Sequence, residues 1–253
     1  MISHLLDAFR LTTPHRTIEC PQWDVCTVLT FLRDKCEPLA TLSLKILTFK
    51  TLFLIALATA RRVSGIHAIS GLAKDIAFTE QDASVTLRFL PEFWAKNQPS
   101  ASKPLLLVVP GLSHRLCDDD SDIALCPVRS LRTYLDRTTT HRLNKRRLFI
   151  SLNKRYNQDI AKGTISRWIK STIKLAFSQT KTPLHTNTVR AHEVRAIATS
   201  LAFSRGASLV DILRSAYWRS TTTFVSFYLR DVSSHRADES AGFNHLVTAG
   251  HSF

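Results

Sequence analysis

Along this chain, stretches whose apolar residues recur with a helical period give way in the middle to short segments of strand character. From Trp23 the positions Val25, Val28, Leu29, Phe31 and Leu32 fall on one broad face, the mark of an amphipathic helix. A second helix is expected after Ser43, a natural N-cap, running through Leu47, Leu54, Ile55 and Leu57 to about Arg61. It is apolar nearly all round, which predicts a helix buried at the centre of the domain rather than one lying on its surface. Residues 1–20 are mixed, without a clear period, and read as a tail or the remnant of an arm domain.

Between 75 and 110 the character changes. Asp75–Thr79, Ser84–Leu90 and Pro104–Pro110 read as three short strands, and Pro91–Lys103 carries the polar turn residues of a long hairpin. The acidic stretch Asp118–Asp122 repels DNA and is expected to face away from any phosphate-binding surface. Helical pattern resumes at Cys126-Pro127, with Val128, Leu131, Tyr134 and Leu135 turned inward. Gly163–Phe177 is amphipathic: Ile165, Trp168, Ile169, Ile173 and Ala176 line one face, and Arg167, Lys170 and Lys174 the other. Helices near Glu193–Ser204, Leu209–Ala216 and Thr222–Leu229 complete the pattern, with Arg205-Gly206 as a stop after the first of them. There is no internal repeat. The expected fold class is mainly α with a small antiparallel β-sheet (α+β), in a domain spanning 21–235, followed by a C-terminal tail, 236–253. Phe243, Leu246 and Val247 leave that end open between a frayed tail and a short helix docking on a neighbouring protomer.

The 253 residues are 44% apolar, enough to bury a sizeable core, and only 7 Gly and 9 Pro argue against a disordered or fibrous chain. Charge then narrows the picture: 34 Lys and Arg against 20 Asp and Glu give a formal net charge of +14, an excess that most often meets nucleic acid. Five cysteines (Cys20, Cys26, Cys36, Cys117 and Cys126) form no CxxC pair and have no histidine at zinc-finger spacing. Neither a structural metal nor a cofactor is expected, and a reducing compartment suits the thiols. Met1–Leu11 contains Asp7 and lacks the form of a secretory signal, while the most apolar run, Leu52–Ala58, is too short to span a bilayer. A cytoplasmic or, in a eukaryote, nuclear protein is expected.

Candidate chemistry begins with His192-Glu-Val-Arg195. On a helix, positions three apart face the same way, so an imidazole and a guanidinium can reach one target together. That pair suits a phosphodiester: the arginine binds the non-bridging oxygens and the histidine moves a proton. Alone, the motif is weak, since a chain this rich in arginine shows HxxR by chance. Its surroundings add weight. Upstream, Ala58-Thr-Ala-Arg-Arg62-Val-Ser-Gly-Ile66 ends the buried helix; downstream stands Trp218, and ten residues beyond it Tyr228 in Phe227-Tyr-Leu-Arg-Asp231. By spacing alone, Tyr228 beside Phe224 and Phe227 reads as core, and so does Trp218.

In this order, these segments resemble the phage-integrase-like tyrosine recombinases, over roughly residues 22–235. Leu125-Cys-Pro-Val-Arg-Ser-Leu-Arg-Thr-Tyr-Leu-Asp-Arg137, Ala95-Lys-Asn-Gln98 and Ser226-Phe-Tyr-Leu-Arg-Asp231 are similar to the recombinases of DIRS-like retrotransposons. The resemblance implies the tyrosine recombinase catalytic-domain fold and a site-specific strand transferase needing neither metal nor ATP. Tyr228 would form a 3′-phosphotyrosyl link and release a 5′-hydroxyl. Arg62 and Arg195 would hold the scissile phosphate, His192 would act on the tyrosine proton or bind phosphate, and Trp218 would orient through its indole N–H. Lys96 would protonate the leaving oxygen, with Lys103 of the same hairpin as the competing choice. Arg61 could be confused with Arg62, which is preferred for the Val-Ser-Gly-Ile that follows it.

The expected partner is double-stranded DNA, gripped through Arg142, Lys145, Arg146, Arg167, Lys170 and Lys174, with self-association as a dimer or tetramer on it. Two departures from the family matter. Gly65 stands where many relatives carry a carboxylate, and only residues 1–22 precede Trp23, where relatives carry a helical arm domain. A non-catalytic DNA-binding derivative and a type IB topoisomerase-like enzyme are therefore the alternative readings.

Overall fold

The computed structural model describes residues 21, 23–94, 106–112, 123–151, 159–180, 184, 189–216, 218 and 220–232. The first helix, α1 (Val25–Asp34), starts where the Asp24 carboxylate accepts hydrogen bonds from the backbone N–H groups of Cys26 and Thr27, at 3.2 and 2.7 Å. These are donors of the first turn that have no partner within the helix. Ser43 does the same for α2 (Leu44–Thr59), its hydroxyl accepting from Ile46 N at 3.3 Å. Every residue of α2 from Leu47 to Thr59 is buried, as its all-round apolar pattern predicts.

The one charge in that buried stretch is Lys50. Its ammonium donates to Leu32 O, Cys36 O and the Glu37 carboxylate at 2.8, 2.9 and 2.7 Å, and Glu37 also pairs in bidentate fashion with Arg129. All three ammonium donors are thereby used, the condition under which a buried cation is tolerated. The bonds tie the turn after α1 to the centre of the domain.

α2 stops at Thr59 rather than Arg61 because Ala60 turns into the left-handed region, with φ of 47°. Glycine is the usual residue for such a helix end, and an alanine there stores strain on the order of 1 kcal/mol. Arg61 and Arg62 follow in extended chain before the short α3 (Val63–His67). Three antiparallel strands come next, β1 (Ile76–Phe78), β2 (Ser84–Arg88) and β3 (Leu106–Pro110), in the order β1-β2-β3, with Ala77 opposite Thr86 and Val85 opposite Val109. Val85, Leu87, Leu107 and Val109 point into the core. The fold class read from the sequence is what is observed: mainly helical, with one small antiparallel sheet.

Five further helices follow: α4 (Pro127–Thr138), α5 (Lys162–Phe177), α6 (Glu193–Ser204), α7 (Leu209–Ser215) and α8 (Thr221–Phe227). α4, α5, α6 and β3 pack around α2, and α6 belongs to two apolar clusters at once. Val194, Ile197, Ala198 and Leu201 join the main core. Ala202 joins a smaller cluster with Ile212, Ala216, Trp218, Phe224 and Leu229, which seats α7 and α8. α6 ends as its sequence predicts. Gly206 sits at φ of 90°, with Gly206 N bonded to Phe203 O and Ala207 N to Ala202 O, so the last carbonyls of the helix are satisfied. Among the described residues no helix is long and apolar enough to cross a membrane, and no group of acidic, histidine or cysteine side chains is arranged to hold a metal ion.

Candidate active site

A pocket of about 280 Å³ opens where the end of α2, α3, the start of α5, the start of α6 and the end of α8 meet. Its charged lining is one-sided: Arg61, Arg62, Lys162 and Arg195, with His192, and no aspartate or glutamate. Tyr228 forms part of the wall. Residues separated by more than 160 positions in the sequence are thus brought to one concavity by the packing of α6 against α2 and of α8 against α6.

Each side chain arrives by a local device. The left-handed turn at Ala60 breaks α2 just before Arg61 and Arg62, so both leave the buried helix and enter the pocket wall. Arg62 is the N-cap of α3 and makes no capping hydrogen bond there. Gly65, three residues on, supplies no carboxylate. A Cβ at that position would meet Arg61 Cβ at 3.8 Å and the rings of Phe89 and Phe93 at 4.0 Å, ordinary contact distances. His192 and Arg195 flank the start of α6, His192 as its N-cap rather than within it. Glu193 between them faces the other way. It accepts from Trp23 Nε1 at 2.9 Å and Arg190 N at 3.3 Å, which fixes the start of α6 against α1.

Arg195 is 3% exposed, and its guanidinium lies against two rings that touch each other, 4.4 Å from the Trp218 centroid and 5.2 Å from that of Tyr228. It donates to Ala216 O at 2.6 Å, while its Nε is buried without a partner. Among the described residues no carboxylate balances this charge. Burial first, and then the neighbouring Arg62, pull its pKa down from the ordinary arginine value to about 9, with Tyr228 acting the other way. A buried cation crowded by a second cation is a site shaped for an anion. His192 stands at the exposed edge. Partial desolvation, helped by Arg190, Arg230 and Lys170 and opposed by Glu193, holds its pKa below 6.5, so the imidazole is neutral at pH 7.

Trp218 sits behind the pocket rather than in it. Its ring packs on Tyr228 at 4.5 Å and on Phe224 at 5.6 Å, and its Nε1 is buried with no hydrogen-bond partner. In this state the indole is the floor on which Arg195 and Tyr228 rest, and its N–H meets no acceptor. Tyr228 is half-buried at the end of α8, with no partner for its hydroxyl among the described residues. Four of the sequence-derived residues, Arg62, His192, Arg195 and Tyr228, therefore line one pocket, with Trp218 against two of them. Lys96 and its competitor Lys103 lie outside the described residues, as do the acidic stretch 118–122 and the terminal segments.

The expected DNA-facing residues divide. Arg167, Lys170 and Lys174 are exposed on α5, the helix whose first residue, Lys162, lines the pocket. The 142–147 run is arranged differently. Arg142 turns inward over the Tyr134 ring at 5.1 Å and donates to Thr138 Oγ1 and Leu148 O at 2.9 and 3.0 Å. Lys145 is 8% exposed. Arg146 is exposed but pairs with Glu92 at 3.0 Å. The run is pinned where Gly71 N donates to Arg146 O at 2.8 Å, an approach so close that a Cβ on Gly71 would lie 2.3 Å from Arg147 O. Arg142 is thus held by partners close to it in sequence, whereas Arg146 pairs with Glu92 and Arg147 donates to His67 O at 2.7 Å, both from distant parts of the chain.

Neither protein-family models nor curated proteins give a match to this chain. The functional reading rests on the residues themselves. Of the pocket's other cations, Arg61 stood in the sequence only as the competitor of Arg62, and Lys162 did not stand out at all among 34 lysines and arginines. Their signal is spatial. Arg61 shares the wall only because Ala60 bends the chain, and Lys162 only because α5 starts at the pocket rim.

Proposed function

We propose that the chain is a tyrosine recombinase catalytic domain, breaking and rejoining double-stranded DNA through a covalent link between Tyr228 and a 3′-phosphate. One observation carries the reading: Tyr228, whose hydroxyl has no partner among the described residues, lines a pocket together with Arg62, Arg195 and His192, and no described aspartate or glutamate lines it. A phosphodiester placed there meets cations on its non-bridging oxygens. The Tyr228 oxygen attacks phosphorus as His192 takes its proton, the phosphorus–5′-oxygen bond breaks, and the 5′-oxygen leaves with a proton of its own. Lys96 is the residue proposed to supply that proton.

The geometry of charge explains why no metal need enter the scheme. Two guanidiniums stabilise the extra negative charge of the pentavalent state, the part that a divalent cation or an arginine finger plays in other phosphoryl transfers. The phosphotyrosyl bond keeps the energy of the broken diester, so rejoining by the 5′-hydroxyl consumes nothing. The exposed face of α5, with Arg167, Lys170 and Lys174, extends the positive surface from the pocket and supports duplex binding along the backbone. Assembly as a dimer or tetramer on paired sites, and service to a mobile element, belong to the same proposal.

The second reading, a DNA-binding protein that has lost catalysis, draws on Gly65 and the uncapped Arg62. A nicked oligonucleotide duplex separates the two. A DNA-linked band that survives denaturation and vanishes in Tyr228→Phe supports the enzyme; tight binding with no such band supports the second reading.

A further inference from the structure

We propose that Ser200 is a positioning residue for the nucleophile: its hydroxyl pins the main chain on both sides of Tyr228's carbonyl to the helix that carries Arg195. The tyrosine then serves the pocket of its own protomer. The inference rests on the reading of Tyr228 as the nucleophile.

Ser200 is 1% exposed, in the middle of α6. A serine or threonine inside a helix usually returns its hydroxyl to a carbonyl of the preceding turn. Thr199 does so, donating to Arg195 O at 2.9 Å, and so does Ser204, to Leu201 O at 2.9 Å. Ser200 does not. Its Oγ donates to Tyr228 O at 3.2 Å and accepts from Arg230 N at 2.9 Å, both across the gap to the end of α8.

Those two groups need such a partner. Tyr228 caps a helix of only seven residues, so its carbonyl and the N–H of Arg230 have no helical mate. The chain here is already folded tightly, with Tyr228 N and Leu229 N both bonded to Phe224 O at 2.8 Å. Phe224 and Leu229 anchor the turn in the smaller apolar cluster. Apolar contact sets depth, but it is non-directional. The two bonds to Ser200 are the directional link, and they fix the turn relative to Arg195, five residues or about 7.5 Å earlier along the same helix axis. The outcome is the packing of Tyr228 on Trp218, with centroids 4.5 Å apart and the rings tilted by 42°, and the Arg195 guanidinium against both rings.

The test compares Ser200→Ala and Ser200→Thr in full-length protein, with two readouts. In single-turnover reactions on the nicked duplex, Ser200→Ala should slow covalent-adduct formation about tenfold at saturating DNA, the worth of one to two hydrogen bonds, with the half-saturating DNA concentration unchanged. Ser200→Thr, which keeps the hydroxyl, should restore the rate. In DNA-free protein labelled with carbon-13 tyrosine, the Tyr228 ring signal is identified by its loss in Tyr228→Phe. It should be displaced by the Trp218 ring current and return toward the free-tyrosine position in Ser200→Ala. A Ser200→Ala rate equal to wild type, or a Tyr228 signal that does not move, overturns the proposal. So does a Ser200→Thr protein as slow as the alanine variant, for then only volume matters. Mixing Tyr228→Phe with Arg195→Ala protein should yield no adduct; a restored adduct overturns the same-protomer assignment. If wild-type protein forms no adduct at all, the recombinase reading fails, and the tyrosine spectrum still decides whether Ser200 holds Tyr228.

Discussion

Replacing Arg195 by methionine removes the charge at the centre of the pocket while keeping most of the side-chain volume, and the structure says what should follow. The fall of the Arg195 pKa to about 9 means that the folded state pays for a buried cation that no described carboxylate balances. At about 1.4 kcal/mol for each tenfold change in proton affinity, that penalty is roughly 5 kcal/mol. Against it stand two ring contacts, together worth about 1–2 kcal/mol, and the Ala216 carbonyl left without its donor, about 1–3 kcal/mol. Arg195→Met should therefore lie between neutral and about 3 kcal/mol more stable than wild type at pH 7. The sign fixes the pH window as well. Arg195 is protonated in both states at pH 7, so the folded state carries the whole penalty there. The penalty lifts only as pH climbs past about 9, and the variant should lack that rise. Urea denaturation followed by circular dichroism, in chloride and in sulfate of equal ionic strength, gives the comparison. Sulfate should stabilise wild type more than the variant, because it can fill the pocket only while the cation is there. A loss of more than about 3 kcal/mol on substitution would refute the reasoning, since it would make the arginine a structural group whose contacts outweigh its desolvation.

Other consequences are open to measurement. Desolvation holds the His192 pKa below the ordinary imidazole value, so the adduct-forming rate should fall only at a pH below the ordinary histidine range, with this acid limb absent in His192→Asn; a flat profile in wild type removes His192 from proton transfer. Its protonation is also disfavoured by folding, so stability should decline in the same direction. Gly65→Ala should raise helix stability by about 0.5–1 kcal/mol in thermal melts, because the added methyl meets its neighbours at ordinary contact distances; a drop would show that the space beside Arg61, Phe89 and Phe93 is smaller than described. Changing Arg167, Lys170 and Lys174 to glutamine one at a time should each weaken duplex binding and lower the slope of log affinity against log salt by about 1; substitution of the inward-facing Arg142 should instead lower stability.

Much of the architecture is legible in the sequence because its signals are local. Ser43 and Gly206 mark helix ends through their own side chain or the lack of one, and the unbroken apolar run of α2 leaves no surface on which it could lie. The fold class follows from such signals. The order Arg62, His192-x-x-Arg195, Trp218, Tyr228 is also readable, and the fold brings those residues to one place. What the sequence withholds depends on packing. Arg142 reads as a surface charge until Leu148 O and the Tyr134 ring are placed beside it. Ala60 gives no sign that it takes a glycine's conformation. Ser200 looks like a filler on a helix until the end of α8 arrives, and Trp218 reads as a donor until its N–H is seen buried behind Tyr228. For Ser200 the relation is long-range, set by the packing of α6 against the end of α8 rather than by neighbours in the chain.

The central claim is that Tyr228 becomes bonded to DNA. Trapping the protein on a nicked duplex, digesting both components, and locating the nucleotide-bearing peptide by mass spectrometry tests it most directly. The account predicts a nucleotide 3′-phosphate on the peptide that contains Tyr228, fragmenting at that residue and no other. A nucleotide carried by any other side chain, or a strand cut with no covalent peptide, would contradict it.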